Sequence, residues 1–398
     1  MTNRNNKSGI IIIISSILGG GASKIVVTLH NQLTKHIDVE LVQVSETIEN
    51  SFNSTNVNTL ISTSNKLSDK TWYKLPVTLV KFLKLCYNNK IKLVLPIDPW
   101  LGIISIISSY LHNHKTLVSI HSMPSFSETT LDSYARKILY VLIRIKKIPV
   151  VAVSNGVKEE LTSLCHINSE QITVIHNPID ISTIKKKGEE TVNLPQQMQG
   201  IKNPILISIG RLVDVKGHKY LIRIFAELQK TNPSYLMILG TGPNEQYLRN
   251  LTKRYNLSER VFFMGWQENP YKYIAKSKVL VHSSLSESFG NVIVEAMALG
   301  CPVVSTRCSP SIEEIMGTDN ACGFISKEIS EREDIITETL DESELDFLNK
   351  IQTILDNPEM YEKMSCACLE RAKLFDVNVG VQKYVRIIEK SMTTDSKI

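Results

Sequence analysis

Two hydrophobic periods alternate along most of this 398-residue chain, and that alternation limits the folds open to it. Short runs rich in Ile, Val and Leu are followed by stretches whose apolar residues recur at helical spacing. A short continuous apolar run bounded by turn residues reads as a strand buried on both faces. Such strands, separated by helices, imply parallel sheets covered by helices. In the first half, strands are expected near Ile10–Ser15, Val39–Val44, Lys92–Pro96, Thr116–His121, Val150–Val153 and Thr173–His176. Helices are expected at about Ala22–Leu33, Leu101–Asn113 and Ser133–Ile145. In the second half the expected strands are Ile205–Ile209, Leu236–Leu239, Val261–Phe263, Val279–His282 and Val303–Ser305. Helices fit at about Lys219–Lys230, Asn244–Tyr255, Pro270–Ala275 and Val292–Leu299.

The fold class expected is therefore α/β, with two Rossmann-like lobes whose parallel sheets face a central cleft, and a helical C-terminal tail from about Glu342. Residues 1–190 would form the first lobe, 191–375 the second, and 376–398 a helix returning to the first. The polar stretch Lys185–Asn203 reads as the linker. The length agrees with about two domains of roughly 100–200 residues each. Ile10–Ser15 has a second reading, because basic residues before it and small residues after it also outline a signal peptide. The strand reading fits better: the run is short and β-branched, and Ala22–Leu33 continues it as a helix.

At 42% hydrophobic and 21% charged residues, the chain is not a disordered or low-complexity protein. Its seven cysteines are scattered and odd in number, without Cys-x-x-Cys spacing, which argues against a disulfide framework or a zinc site and for a reducing cytosol. No apolar run reaches the length of about 18 residues that a membrane-spanning helix needs. Charge is uneven. Residues 1–180 carry 18 Lys and Arg against 12 Asp and Glu, while the remainder is close to neutral. Within Lys66–Lys92, seven lysines face the single acid Asp69, among aromatic and aliphatic residues. Such a segment can lie on an anionic membrane, or it can be a solvated helix whose apolar side packs on the lobe. No aromatic-interleaved motif accompanies the charge, so nucleic acid is not the expected partner.

In open α/β sheets ligands bind beyond the carboxyl ends of strands, and three such loops carry distinctive chemistry. Gly19-Gly20-Gly21 follows the first strand and precedes a helix, so its backbone can approach an anion or simply turn. It matches neither the dinucleotide nor the P-loop pattern. Gly210-Arg211-Leu-Val-Asp-Val-Lys216-Gly217 puts a guanidinium and an ammonium on one loop, a pattern suited to phosphate. A surface salt bridge to Asp214 is the bland alternative. Ser284-Leu-Ser-Glu287-Ser-Phe289-Gly290-Asn291-Val-Ile-Val-Glu295 places two carboxylates across a strand-to-helix turn. Carboxylates accept hydrogen bonds from hydroxyls, although a capping acid and an exposed helical Glu would look the same. Together the two later loops suit a ligand bearing phosphates and hydroxyls, such as a nucleotide sugar.

On these residues the sequence resembles family 4 glycosyltransferases, which have the two-lobed GT-B fold. Glu287 and Glu295 form an E-x7-E spacing within HSSLSESFGNVIVEAMALGCPVVST. Further similarity lies in ISIGRLVDVKGH, MILGTGPNEQYLRNL, VFFMGW, VAVSNGVKEEL and VIHNPID. The resemblance implies that Arg211 and Lys216 bind the donor diphosphate and stabilise the leaving nucleotide without metal, in keeping with the lack of an Asp-x-Asp motif. It implies that Glu295 holds the ribose hydroxyls, and that Glu287 meets the donor sugar with the backbone at Phe289, Gly290 and Asn291. Gly210 shapes the cationic loop, and the backbone near Gly265 and Trp266 would face the base. Gly20 and Gly21 would admit the donor diphosphate or the acceptor. His121, which alone would read as structural, would stand beside the transferred sugar.

The reaction implied is transfer of a hexose or N-acetylhexosamine with retention of configuration, with no cofactor beyond the donor. UDP is the expected nucleotide and GDP the alternative. The branch resembled builds bacterial surface polysaccharides on undecaprenyl diphosphate, which implies a cytoplasmic enzyme that can be peripheral at the inner face of the membrane. The chain departs from many relatives in that branch at Cys308-Ser-Pro-Ser-Ile-Glu313-Glu314, where they carry an arginine, so donor identity stays open. Three other readings compete. A nucleotide-sugar 2-epimerase would need first-lobe acids and bases, for which only Asp98, His121 and Glu128 offer themselves. A non-catalytic sugar-nucleotide binder would not need the intact charged set. A secreted two-lobed solute-binding protein depends on the signal-peptide reading.

Overall fold

In the computed structural model, which describes residues 9–17, 21–45, 57–61, 75–125, 130–199, 203–332 and 339–393, Ile10–Ile14 form strand β1 at the centre of a five-stranded sheet. All five isoleucines are buried, as a strand covered on both faces requires. Ile10, Ile12 and Ile14 enter one core with Val26 and Leu29 of α1 (Gly21–Leu33), whereas Ile11 and Ile13 enter another with Phe82 and Leu101. The first unit continues through β2 (Glu40–Ser45), β3 (Val57–Ile61), α2 (Leu75–Asn89), β4 (Leu93–Pro96), α3 (Pro99–His112), β5 (Lys115–Thr116), β6 (Val118–Ile120), α4 (Thr130–Lys146), β7 (Val150–Ala152), α5 (Asn155–Ser163) and β8 (Ile172–Val174). The main sheet has the order β3-β2-β1-β4-β5, and β6-β7-β8 form a separate sheet. The strand expected at Thr116–His121 is thus two strands. Leu117 donates to the Val94 carbonyl, after which Val118 turns to Pro149 and joins the smaller sheet.

The second unit runs from Ile179 to Asp376. Its elements are α6 (Ile181–Gly188), β9 (Ile205–Ile209), α7 (His218–Leu228), β10 (Tyr235–Leu239), α8 (Glu245–Arg254), β11 (Val261–Gly265), α9 (Tyr271–Ile274), β12 (Val279–His282), α10 (Asn291–Met297), β13 (Val303–Thr306), α11 (Pro310–Met316), β14 (Gly323–Ser326), α12 (Glu342–Asp356) and α13 (Pro358–Ala372). The chain then re-enters the first unit as α14 (Val377–Thr393), where Tyr384 is buried in the β1 core. The boundary therefore falls near residue 179 rather than 191. Ile181, Ile184 and Gly188 are buried on one face of α6, and Gly188 lies against Leu299. Its lysines, Lys185–Lys187, made this helix look like linker.

All pairings in the second sheet are parallel, in the order β11-β10-β9-β12-β13-β14. Numbered within the unit, that is the 3-2-1-4-5-6 order of a doubly wound sheet, whose direction of winding reverses between β9 and β12. The loops leaving the carboxyl ends of those two strands therefore flank the crevice where such sheets bind ligands. Tyr220, Phe225, Leu236 and Phe347 fill the core beneath it. Among the described residues, no helix is long and apolar enough to cross a membrane.

Candidate functional site

The loop after β9 carries Arg211 and Lys216, and it is clamped at several points. Leu212 is fully buried, and its N–H donates to the Thr241 carbonyl. Asp214–Lys216 form a single tight turn that ends on Gly217 at φ +63°. A Cβ at Gly217 would overlap the Ser283 carbonyl oxygen, so glycine is what lets the loop approach the end of β12. The two loops are then tied together. Leu285 N–H donates to the Val215 carbonyl at 2.7 Å, and Ser283 Oγ donates to the Lys216 carbonyl at 3.1 Å.

This docking brings together charges 71 residues apart in sequence. The Lys216 Nζ donates to Glu287 Oε1, with the Lys216 side chain 22% exposed and that of Glu287 15%. His282 Nε2 stands 3.0 Å from the same oxygen, and Ser284 Oγ donates to it at 3.1 Å. A carboxylate oxygen can only accept, so Nε2 must carry a proton. The other ring nitrogen lies 2.9 Å from Ser305 Oγ. Burial pushes the Glu287 carboxyl up, but Lys216 and His282 outweigh it and hold the group well below the usual carboxylate range. With Oε1 occupied, no hydrogen bond from the described residues reaches Oε2. Nearby, burial with the charges of Lys216 and His282 pushes His218 down to about 3. Burial, with the Glu287 charge, pushes Cys308 up to about 12.

The other expected residues of this unit lie on the β9 loop, at the end of β11, and in the turn and helix after β12. Arg211 is exposed on the β9 loop, and Gly210 lies under the aliphatic stem of Lys216. Asp214 accepts a hydrogen bond from Asn244 Nδ2 at 2.8 Å, so the bland Asp214 salt bridge is not what occupies Lys216. Glu295 sits in α10 and is only 7% exposed, with the Tyr271 hydroxyl at 3.4 Å; the exposed-helix alternative fails. The Phe289 side chain packs edge-on against Phe375, and Gly290 and Asn291 follow it at the start of α10. Open space lies where a Gly265 side chain would be, and Trp266 beside it is half exposed. His282, Ser284 and His218 did not stand out in the sequence. The available signal was a histidine closing the apolar strand Val279–His282, five residues before Glu287.

His121 and Gly21 belong to the first unit. His121 follows β6, and its Nε2 stands 2.9 Å from Ser119 Oγ, which in turn lies 3.4 Å from the Tyr384 hydroxyl. Burial pushes its pKa down to about 4, so the ring is neutral at pH 7, and its buried Nδ1 has no partner among the described residues. Asp98, at the end of β4, accepts the Ser15 N–H at 2.6 Å, and burial raises its pKa. Gly21 is exposed at the start of α1; Gly20 and Glu128 lie outside the described residues. So do Lys66, Asp69, Lys70 and Lys74 of the segment Lys66–Lys92, whereas Lys81, Lys84, Lys90 and Lys92 are described.

Comparison with known proteins agrees across both units. Residues 19–183 match the family model described as Glycosyltransferase Family 4, and residues 195–368 match Glycosyl transferases group 1. The N-acetylgalactosamine-N,N'-diacetylbacillosaminyl-diphospho-undecaprenol 4-alpha-N-acetylgalactosaminyltransferase of Campylobacter jejuni is 28% identical over 89% of this chain and 92% of its own. The lipopolysaccharide 1,6-galactosyltransferase of Salmonella typhimurium is 26% identical over 68% of this chain and 76% of its own. Among solved structures, Anabaena HepE in complex with UDP-glucose superposes with a TM-score of 0.78 at 18% identity, covering 96% of this chain and 99% of that one.

Proposed function

Because the chain belongs to glycosyltransferase family 4 and is a glycosyltransferase of the GT-B fold, we propose that it moves a hexose or N-acetylhexosamine, with retention, from a UDP-sugar to a saccharide carried on undecaprenyl diphosphate in surface-polysaccharide synthesis. The observation that carries this reading is the meeting of Lys216 and Glu287 at the reversal point of the second sheet. It supports the reading by joining a cation suited to a diphosphate with a carboxylate suited to sugar hydroxyls. The lipid-linked acceptor is suggested by the Campylobacter relative and the nucleotide by the UDP-glucose complex of HepE.

Breaking the sugar–phosphate bond develops negative charge on the diphosphate and positive character on the sugar. Arg211 and Lys216 answer the first as fixed cations, with no metal required by the scheme. Lys216 spends one of its three N–H donors on Glu287, and the others can reach phosphate oxygens. Glu287, loaded with three donors on Oε1 and held ionised, is a weak base and a weak nucleophile. That supports attack by the acceptor hydroxyl from the leaving-group face, with a phosphate oxygen taking the proton, over a covalent glycosyl-enzyme. In this scheme Oε2 of Glu287 receives a donor-sugar hydroxyl, with the backbone of Phe289, Gly290 and Asn291 beside it. Buried Glu295 receives the ribose hydroxyls, and Gly265 and Trp266 face the base. Gly20 and Gly21 admit the diphosphate or the acceptor, and His121 offers its neutral ring to the transferred sugar.

The scheme places the enzyme in the cytoplasm, peripheral at the inner membrane face, with Lys81, Lys84, Lys90 and Lys92 contributing to anionic contact. Calorimetry of the wild type and Arg211→Ala against UDP- and GDP-sugars tests the donor assignment. One donor should bind, and the variant should lose it. Equal binding by the variant would remove Arg211 from the diphosphate site.

A further inference from the structure

Three of the seven cysteines meet at one junction of the second unit, and the transfer scheme uses none of them. Cys301 precedes β13, Cys322 precedes β14, and Cys368 lies in α13; all three are at most 2% exposed. Cys368 joins them. Its Sγ lies 3.3 Å from the Cys322 carbonyl oxygen and 3.8 Å from that of Cys301, and the thiols of Cys322 and Cys368 hydrogen-bond to each other. The Cys301 thiol has other partners, with Sγ 3.8 Å from the Ser277 carbonyl oxygen and 3.7 Å from that of Pro302. Backbone contacts fix the pair from both sides. Val303 N–H donates to the Cys322 carbonyl at 3.1 Å, which ties the start of β14 to β13. One turn beyond Cys368, Arg371 donates to the Ile315 carbonyl and, at 2.9 Å, to that of Glu314, which fastens α13 to the end of α11.

Two thiols held in contact are a pair that oxidation can join, and the two are not equivalent. The hydrogen bond from Cys368, with the Arg371 charge, outweighs burial and holds Cys322 below its ordinary value. The same contact, together with burial, pushes Cys368 up. The thiolate is the reactive form, so Cys322 is the attacking sulfur. It also lies just inside the exposed turn 318–320, the side from which a small oxidant would come. We propose that Cys322 and Cys368 form an oxidation site, where hydrogen peroxide converts the free pair into a disulfide between the start of β14 and α13. The Cys322 sulfur attacks one peroxide oxygen and breaks the O–O bond, which gives a sulfenic acid and one water. The Cys368 sulfur then displaces the hydroxyl, forming the S–S bond and releasing a second water. Two thiols lose two protons and two electrons, and the peroxide gains them. The pair lies at the amino ends of β13 and β14, whereas the loops of Lys216 and Glu287 leave the carboxyl ends of β9 and β12. The site is therefore separate from the donor site and independent of the transfer reaction.

Peroxide treatment of the full chain, followed by capping of free thiols with N-ethylmaleimide and peptide mapping by mass spectrometry, tests it. The wild type should yield a linked Cys322–Cys368 peptide that is absent before treatment and absent again after dithiothreitol. Because the link closes a loop of 46 residues, the oxidised chain should unfold at a higher urea concentration than the same sample after reduction. Cys322→Ala should leave Cys368 a thiol under the same treatment, whereas Cys368→Ala should leave a sulfenic acid on Cys322 that dimedone traps. Exposed Cys366 on the same helix reports that the oxidant has acted. No linked peptide under conditions that oxidise Cys366, or a Cys301–Cys368 link in its place, overturns the proposal. A sulfenic acid on Cys368 in Cys322→Ala overturns the assignment of Cys322 as the attacking sulfur.

Discussion

Replacing Lys216 by methionine removes the ammonium from Glu287 and keeps a chain of similar length over Gly210. Both side chains of the pair are less than a quarter exposed, so the carboxylate would be left largely desolvated. Removing one partner of a buried ion pair costs about 3–5 kcal/mol where nothing compensates. Here His282 and Ser284 remain as donors at 3.0 and 3.1 Å, so the expected loss is about 2–3 kcal/mol. Glu287→Gln keeps the shape, removes the charge and leaves Lys216 able to turn to water; its loss is about 1–2 kcal/mol. The double variant strands no charge. Its loss should therefore fall short of the sum of the singles by about 1–3 kcal/mol.

Urea unfolding of the four proteins at neutral and acid pH measures this coupling, read on the transition that the single variants shift, since the chain forms two units. The pH sign follows from Glu287. Its folded pKa lies below the unfolded value of about 4.3, so its contribution is complete above that value and is lost as pH falls toward the depressed one. The coupling should be full at pH 7 and shrink in acid. Losses that add within about 0.5 kcal/mol at pH 7 refute the pair.

Three other outcomes are expected. Gly217→Ala should destabilise the second unit by about 2 kcal/mol or more, since its Cβ meets the Ser283 carbonyl at a positive φ, and a melting temperature equal to wild type would contradict that packing. Transfer activity should survive excess chelator, because the proposed charge stabilisation uses Arg211 and Lys216; complete loss that added divalent metal restores would reject that scheme. Neutralising Lys81, Lys84, Lys90 and Lys92 should weaken association with anionic vesicles in a salt-dependent way, and unchanged binding would exclude those lysines from the contact.

What could be read from the sequence follows from how each feature is buried. β1, β9 and β12 are covered on both faces, so they stand out as continuous apolar runs, and their limits were readable to within a residue or so. β3 and β14 are sheet edges, and β3 mixes Asn and Thr with its aliphatics; neither stood out. α6 was hidden by its run of three lysines, although Ile181, Ile184 and Gly188 keep a helical period. The site shows a different limit. The composition of each loop was legible, because glycines flanking charged residues after a strand are a local signal. Which charges meet was not, because that depends on a sheet order joining residues 71 positions apart. Arg211 and Lys216 read as two equal cations on one loop. Folding makes them unequal: Arg211 stays exposed, while Lys216 turns inward to a carboxylate already held by His282 and Ser284. Under the proposed scheme Lys216 acts both on the donor and on the stability of the loop pair, so a loss of turnover in Lys216→Met would have two sources, which the cycle with Glu287→Gln separates.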